Sequence, residues 1–105
     1  MPGKDVTLKT NDGEFSAYLS TAAGKPAGSV VVIQEIFGVN SHIRSVCDRL
    51  AAAGFNALAP DLFHRSEAGV QLGYEQADFG RGFELMQALD HAKALADIDA
   101  CIVDL

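Results

Sequence analysis

The sequence predicts an α/β protein built on an open, mostly parallel sheet with flanking helices, and three observations carry that expectation. Asn11-Asp12-Gly13 is a turn signal between two short strand-like segments. The unbroken apolar run Val30-Val31-Val32-Ile33 lacks the polar alternation of a strand with one wet face, so both of its faces are expected to be covered. A helix-period segment then leads to a second short apolar strand, which completes the strand-helix-strand unit of an open α/β sheet.

Taken in order, residues 6–10 and 14–20 form an opening antiparallel hairpin. The segment AAGKPAG, 22–28, is small, periodless and Gly/Pro-containing, which predicts a surface loop. A strand follows over 29–34. Ile43, Val46, Cys47 and Leu50 recur at helical spacing, with Asn40 or Ser41 as the cap and Gly54 as the residue just past the end. Residues 55–59 form the next strand, closed by Pro60, and 64–74 read as an exposed loop. Phe79, Phe83, Met86 and Leu89 or Asp90 then fall on one helical face, although Gly80 and Gly82 weaken its first half. Leu95, Ile98, Ile102 and Leu105 continue the helical spacing to the last residue. Asp104 and a terminal carboxylate there would oppose the helix dipole, so the chain reads as cut.

Composition narrows the function. At 105 residues, with 49% hydrophobic and 21% charged residues, the chain fits one folded domain. Its net charge of −6 and scattered Lys and Arg leave no basic stripe for a nucleic-acid backbone. No signal-peptide-like run and no stretch long enough to span a bilayer is present, so no membrane is expected and the protein is read as cytoplasmic. Cys47 and Cys101 lack CxxC spacing and a nearby His pair, which suggests two reduced core thiols rather than a disulfide or a metal site. Neither G-x-G-x-x-G nor G-x-x-x-x-G-K-[ST] occurs, so no nucleotide site and no cofactor is expected.

In an open α/β sheet, ligands bind beyond the carboxyl ends of the strands. QEIFG follows one predicted strand and PDLFHR the other, so the two segments should lie side by side. The apolar run passes straight into Gln34 and Glu35, and a carboxylate next to a buried strand demands a partner or a task.

QEIFGVN, the Asn and Arg of the following helix, and APDLFHR occur in the order found in the dienelactone hydrolases of the α/β-hydrolase superfamily, which residues 30–65 resemble. The resemblance continues more weakly through FELMQALD, 83–90, and Asp97-Ile98-x-Ala100. It implies that residues 1–105 are the N-terminal portion of a single, truncated α/β-hydrolase domain. Family members are about twice as long. The Gly-flanked Cys or Ser nucleophile and its Asp and His partners would come later, and neither cysteine here has the flanking glycines.

The resemblance also implies residue roles. Glu35 matches the glutamate that contacts the nucleophile and helps take its proton, a task suited to a carboxylate in a poorly solvated cleft. The alternative is a strand-end carboxylate bonded to backbone amides or exposed at the sheet's rim. Ile36 matches the residue whose backbone N–H helps form the oxyanion hole. Arg81 is a candidate for holding a substrate carboxylate, although matching FELMQALD puts the family arginine nearer Phe79. Phe37 and Phe83 are further substrate-binding candidates, with turn shaping by Phe37 and Gly38 and core packing of Phe83 as the alternatives. Tyr74 could line the mouth of the site. Arg65 reads as a solvated residue, and His42, His64 and His91 as surface or helix-end residues without an Asp partner. Asp61 is expected to cap the turn in PDLF.

The activity so implied is ester or lactone hydrolysis by the complete protein, on a small-molecule substrate, with this chain alone inactive. The alternative is an interaction module that self-associates or pairs with a C-terminal half through an exposed sheet edge.

Overall fold

A computed structural model describes residues 3–10 and 13–104. The strands are β1 (Lys4–Thr10), β2 (Gly13–Ser20), β3 (Gly28–Val31) and β4 (Phe55–Pro60), and the helices are α1 (Ser41–Ala52), α2 (Gln76–Gln87) and α3 (His91–Asp104). The strands form one open sheet of order β1-β2-β4-β3.

The opening hairpin is present, with Val6 opposite Ala17 and Leu8 opposite Phe15; its Asn11-Asp12 turn lies outside the described residues. β2 runs antiparallel to β4, whereas β3 runs parallel to it. The sheet is therefore mixed, and its parallel part is the β3-α1-β4 unit. β3 ends at Val31, short of the expected Gln34. The Val32 N–H still donates to the Leu58 carbonyl at 2.9 Å, and then the chain leaves the ladder.

Asn40 caps α1, its Oδ1 accepting from the Ile43 N–H at 3.2 Å, and Gly54 follows the helix at φ 101°. The apolar spacing of α1 turns Ile43 and Cys47 onto Tyr18, Ala57 and Ala59 on one face of the sheet. Leu58, with the opposite parity, packs on the other face with Leu8, Phe15, Ala17 and Cys101 of α3. Each fully buried Leu-sized side chain stabilises the fold by roughly 1.5–3 kcal/mol. On α1, Asp48 accepts hydrogen bonds from Ser20 Oγ, the Tyr18 hydroxyl and the Gly3 N–H, tying the hairpin to the helix. Those donors, the Ser20 hydroxyl first, hold its carboxyl below the usual range.

The C-terminal segment departs from expectation. Its helical spacing is broken at 88–90, where Asp90 caps α3 by accepting from the Lys93 N–H at 3.1 Å. α3 buries Ala94, Asp97 and Cys101, leaving Leu95 and Ile102 exposed; Leu105 lies outside the described residues. An ion-paired Asp97 fixes the helix rotation, so the larger aliphatic side chains do not. α2 likewise buries Gly82 and Leu85, while Phe83 and Met86 face outward and Phe79 is half exposed with its ring against Phe37. Phe83 is thus not a core residue.

Candidate active-site turn

Beyond the carboxyl ends of β3 and β4, three loops converge. The Gln34 side chain joins the first two: Oε1 accepts from the Leu62 N–H at 2.9 Å and Nε2 donates to the Glu35 carbonyl at 3.0 Å. QEIFG and PDLFHR therefore lie side by side. The third loop, 69–74, joins when the Leu72 N–H donates to the Phe37 carbonyl at 2.8 Å. Asn40 adds a second tie, its Nδ2 donating to the Leu72 carbonyl at 3.2 Å.

Residues 35–38 form a β-turn closed by the Gly38 N–H and the Glu35 carbonyl at 3.2 Å. Only glycine suits its last position. Gly38 has φ +80°, and a Cβ there would run into the Val70 carbonyl oxygen. Phe37 is buried, with its ring edge-on to Tyr74 at 4.7 Å and to Phe79 at 5.0 Å. Its observed role is to anchor the turn.

Glu35 stands four residues past the end of β3, with its side chain exposed. Among the described residues that side chain has no hydrogen-bond or ion-pair partner. The expected poorly solvated cleft does not surround it in this chain. The half-buried Ile36 follows, and its N–H donates to no acceptor among the described residues. An exposed, unpartnered carboxylate and an open amide donor are thus adjacent on a turn held from several sides.

The other candidates lie apart from this pair. Arg81 is already held by two carboxylates, Glu67 at 2.5 Å and Glu84 at 3.2 Å, and the Glu67 hydrogen bond raises its pKa further. Phe83 is 59% exposed on the outer face of α2. Asp61 is buried and closes its own loop, accepting from the Gly69 N–H at 2.8 Å and the Phe63 N–H at 3.3 Å. Burial raises its pKa despite those donors. His42 and His91 are exposed. Both cysteines are fully buried in the two core layers, and burial pushes the Cys47 thiol up to about 11. Among the described residues, no three His, Cys, Asp or Glu side chains gather to hold a metal ion.

His64 and Arg65 correct the sequence reading. His64 does have an Asp partner: its Nε2 lies 2.8 Å from Asp97 Oδ2, while Arg65 donates to Asp97 Oδ1 at 2.9 Å. The His64 ring also stacks on Phe15 at 4.8 Å. These contacts pin α3 to the PDLFHR loop. With Asp97 lying 33 positions after His64 in sequence, nothing local signals the pair. The partner of Gln34 was not legible for the same reason, since it lies 28 residues on.

The dienelactone hydrolase family model matches residues 15–105. The chain belongs to the dienelactone hydrolase family. A "Putative carboxymethylenebutenolidase" of Azospirillum brasilense is 51% identical over 92 residues, 85% of this chain and 40% of its own length. The carboxymethylenebutenolidase of Pseudomonas putida is 32% identical over 99 residues, 92% of this chain and 42% of its own length. The crystal structure of a "Putative Dienelactone Hydrolase" from Klebsiella pneumoniae superposes with TM-score 0.76 at 32% identity, covering 94% of this chain and 41% of that one. The chain thus spans about 40% of the length of these relatives, and its mixed sheet and helices are those of an α/β-hydrolase fold. No helix among the described residues is long and apolar enough to cross a membrane.

Proposed function

We propose that the complete protein carrying this chain hydrolyses a lactone or ester through an acyl-enzyme on a Cys or Ser nucleophile beyond residue 105. The observation that carries this reading is the Glu35-Ile36 turn at the carboxyl end of the sheet in a dienelactone hydrolase-family chain. Glu35 takes the nucleophile's proton as it attacks the carbonyl carbon, and the Ile36 N–H stabilises the oxyanion. Collapse of that intermediate breaks the acyl C–O bond, and the departing alkoxide takes the proton that Glu35 received from the nucleophile. Water then cleaves the acyl-enzyme, releasing the acid and restoring the nucleophile's proton. The remaining segments of the protein would cover Glu35 and exclude water from the reacting atoms. Phe37 keeps the turn in place, while Arg81 and Phe83, on α2, are peripheral substrate contacts at most. The 105-residue chain alone is inactive, because it contains no nucleophile flanked by glycines.

The reading frame past Leu105 should contain G-x-[CS]-x-G within about thirty residues, the length of one strand-helix-strand unit. The complete protein should hydrolyse a chromogenic ester or an unsaturated lactone, with Glu35→Gln lowering kcat/KM by roughly 10²–10⁴-fold, the usual worth of general-base assistance. No turnover by the complete protein, or equal turnover by the 105-residue chain, would sink the reading.

The exposed Leu95, Ile102 and Val103 on α3, together with β3 at the sheet edge, favour a second reading, a pairing module. It predicts a dimer, or a complex with a separately expressed C-terminal half, in light-scattering chromatography. A chain that stays monomeric in both mixtures argues against it.

A further inference from the structure

Helix α2 has an unusual seat. Among the described residues it packs on no strand and no other helix, resting instead on the loops that form the site. Three positions one turn apart make that seat. Phe79 meets Phe37 edge-on, Gly82 meets the Ile36 backbone, and Leu85 joins Phe63 and Val70.

The two glycines in the first half of α2 separate cleanly. Each weakens a helix interior by roughly 1 kcal/mol relative to alanine. A Cβ on Gly80 would meet nothing within 4 Å. A Cβ on Gly82 would lie 2.5 Å from the Ile36 carbonyl oxygen, 3.2 Å from its carbon and 3.3 Å from Cγ1. The atom in the way is backbone, so no side-chain rotation relieves the contact. The next carbonyl along, that of Phe37, is fixed by the Leu72 N–H, and the Phe37 ring is buried. Either Ile36 rotates or α2 lifts.

We propose that Gly82 is a positioning residue for the Ile36 amide, its bare backbone letting α2 seat closely on the turn and fix the direction of that N–H. This deepens the functional reading above and rests on Ile36 as the oxyanion donor. Oxyanion donors work within a narrow window of about 2.7–3.1 Å. A Cβ on Gly82 pushes the Ile36 carbonyl, which lies in the peptide plane of the Phe37 N–H, and reaches the Ile36 N–H through the Ile36 Cα that joins the two peptide planes.

The test compares Gly82→Ala with Gly80→Ala in the complete protein, reading ester hydrolysis, melting temperature and the ¹⁵N–¹H resonances of Ile36 and Phe37. Gly80→Ala should melt no lower than wild type and keep its kcat and both resonances. Gly82→Ala should lower kcat by roughly 10–100-fold with KM nearly unchanged, the scale of an ångström-level misplacement, and move both resonances. Wild-type kcat per folded molecule with unmoved resonances overturns the proposal, even if the melting temperature falls. If wild type hydrolyses no ester, the functional reading fails, and the resonances alone decide whether Gly82 positions the Ile36 amide. Should Gly82→Ala not fold, Phe79→Leu loosens the same seat without adding atoms near Ile36. A lowered kcat at constant KM, or moved Ile36 and Phe37 resonances where wild type is inactive, then supports the proposal; neither change overturns it.

Discussion

Replacing Asp97 with alanine tests whether a buried ion pair orients α3. Asp97 is completely buried, and its two oxygens serve His64 at 2.8 Å and Arg65 at 2.9 Å. Removing one partner of a buried pair typically costs 3–5 kcal/mol, because the other charge is left unpaired. Here the full figure does not apply. The His64 and Arg65 side chains are 12% and 24% exposed, so water can partly replace the lost carboxylate. A discounted cost of about 2–4 kcal/mol follows, including the small void. At roughly 4–8 °C per kcal/mol for a domain of this size, the 105-residue chain should melt about 8–32 °C lower. The assay is thermal and urea unfolding by far-UV circular dichroism, with Asp90→Ala as the comparison. That variant removes only the α3 cap and should cost about 1 kcal/mol. If Asp97→Ala costs less than Asp90→Ala, the ion pair does not set the helix rotation and the reasoning fails.

Two further outcomes follow from the described geometry. Gly38→Ala forces a Cβ onto the Val70 carbonyl at a positive φ, and strain of about 1–3 kcal/mol plus the clash should lower the urea midpoint and disorder the turn; unchanged stability would contradict the turn geometry. Burial raises the Cys47 thiol to about 11, above its unfolded value, so the stability it contributes is intact below the unfolded pKa and is lost as pH rises through about 11. Cys47→Ala should flatten that alkaline decline, and the native thiol should resist Ellman's reagent at pH 8; rapid labelling of Cys47 in folded protein would refute its placement.

Local signals and long-range contacts divided what could be read from the chain. The hairpin, α1 with its Asn40 cap, β4, and the meeting of QEIFG with PDLFHR all follow from period, turn residues and the site rule for open sheets. The faces of α2 and α3 did not follow. A hydrophobic stripe identifies the buried side of a helix only when apolar packing fixes its rotation. Gly82 fixes α2 through a contact only a missing side chain permits, and Asp97 fixes α3 through an ion pair. Glu35 was legible as a singular residue, with exposure at the sheet's rim as the alternative to a task; that the chain leaves the ladder after Val32 is what the local sequence does not show.

The loop seat of α2 separates two kinds of failure. Detaching α2 breaks no strand pairing and leaves both core layers intact, so that opening has its own free energy, set by Phe37, Ile36 and the Phe63 cluster. Amide hydrogens of α2 should accordingly exchange earlier than those of β2 and β4. A substitution can loosen the Glu35–Gly38 turn while the melting temperature barely registers it, and selection can reshape α2 without endangering the sheet beneath.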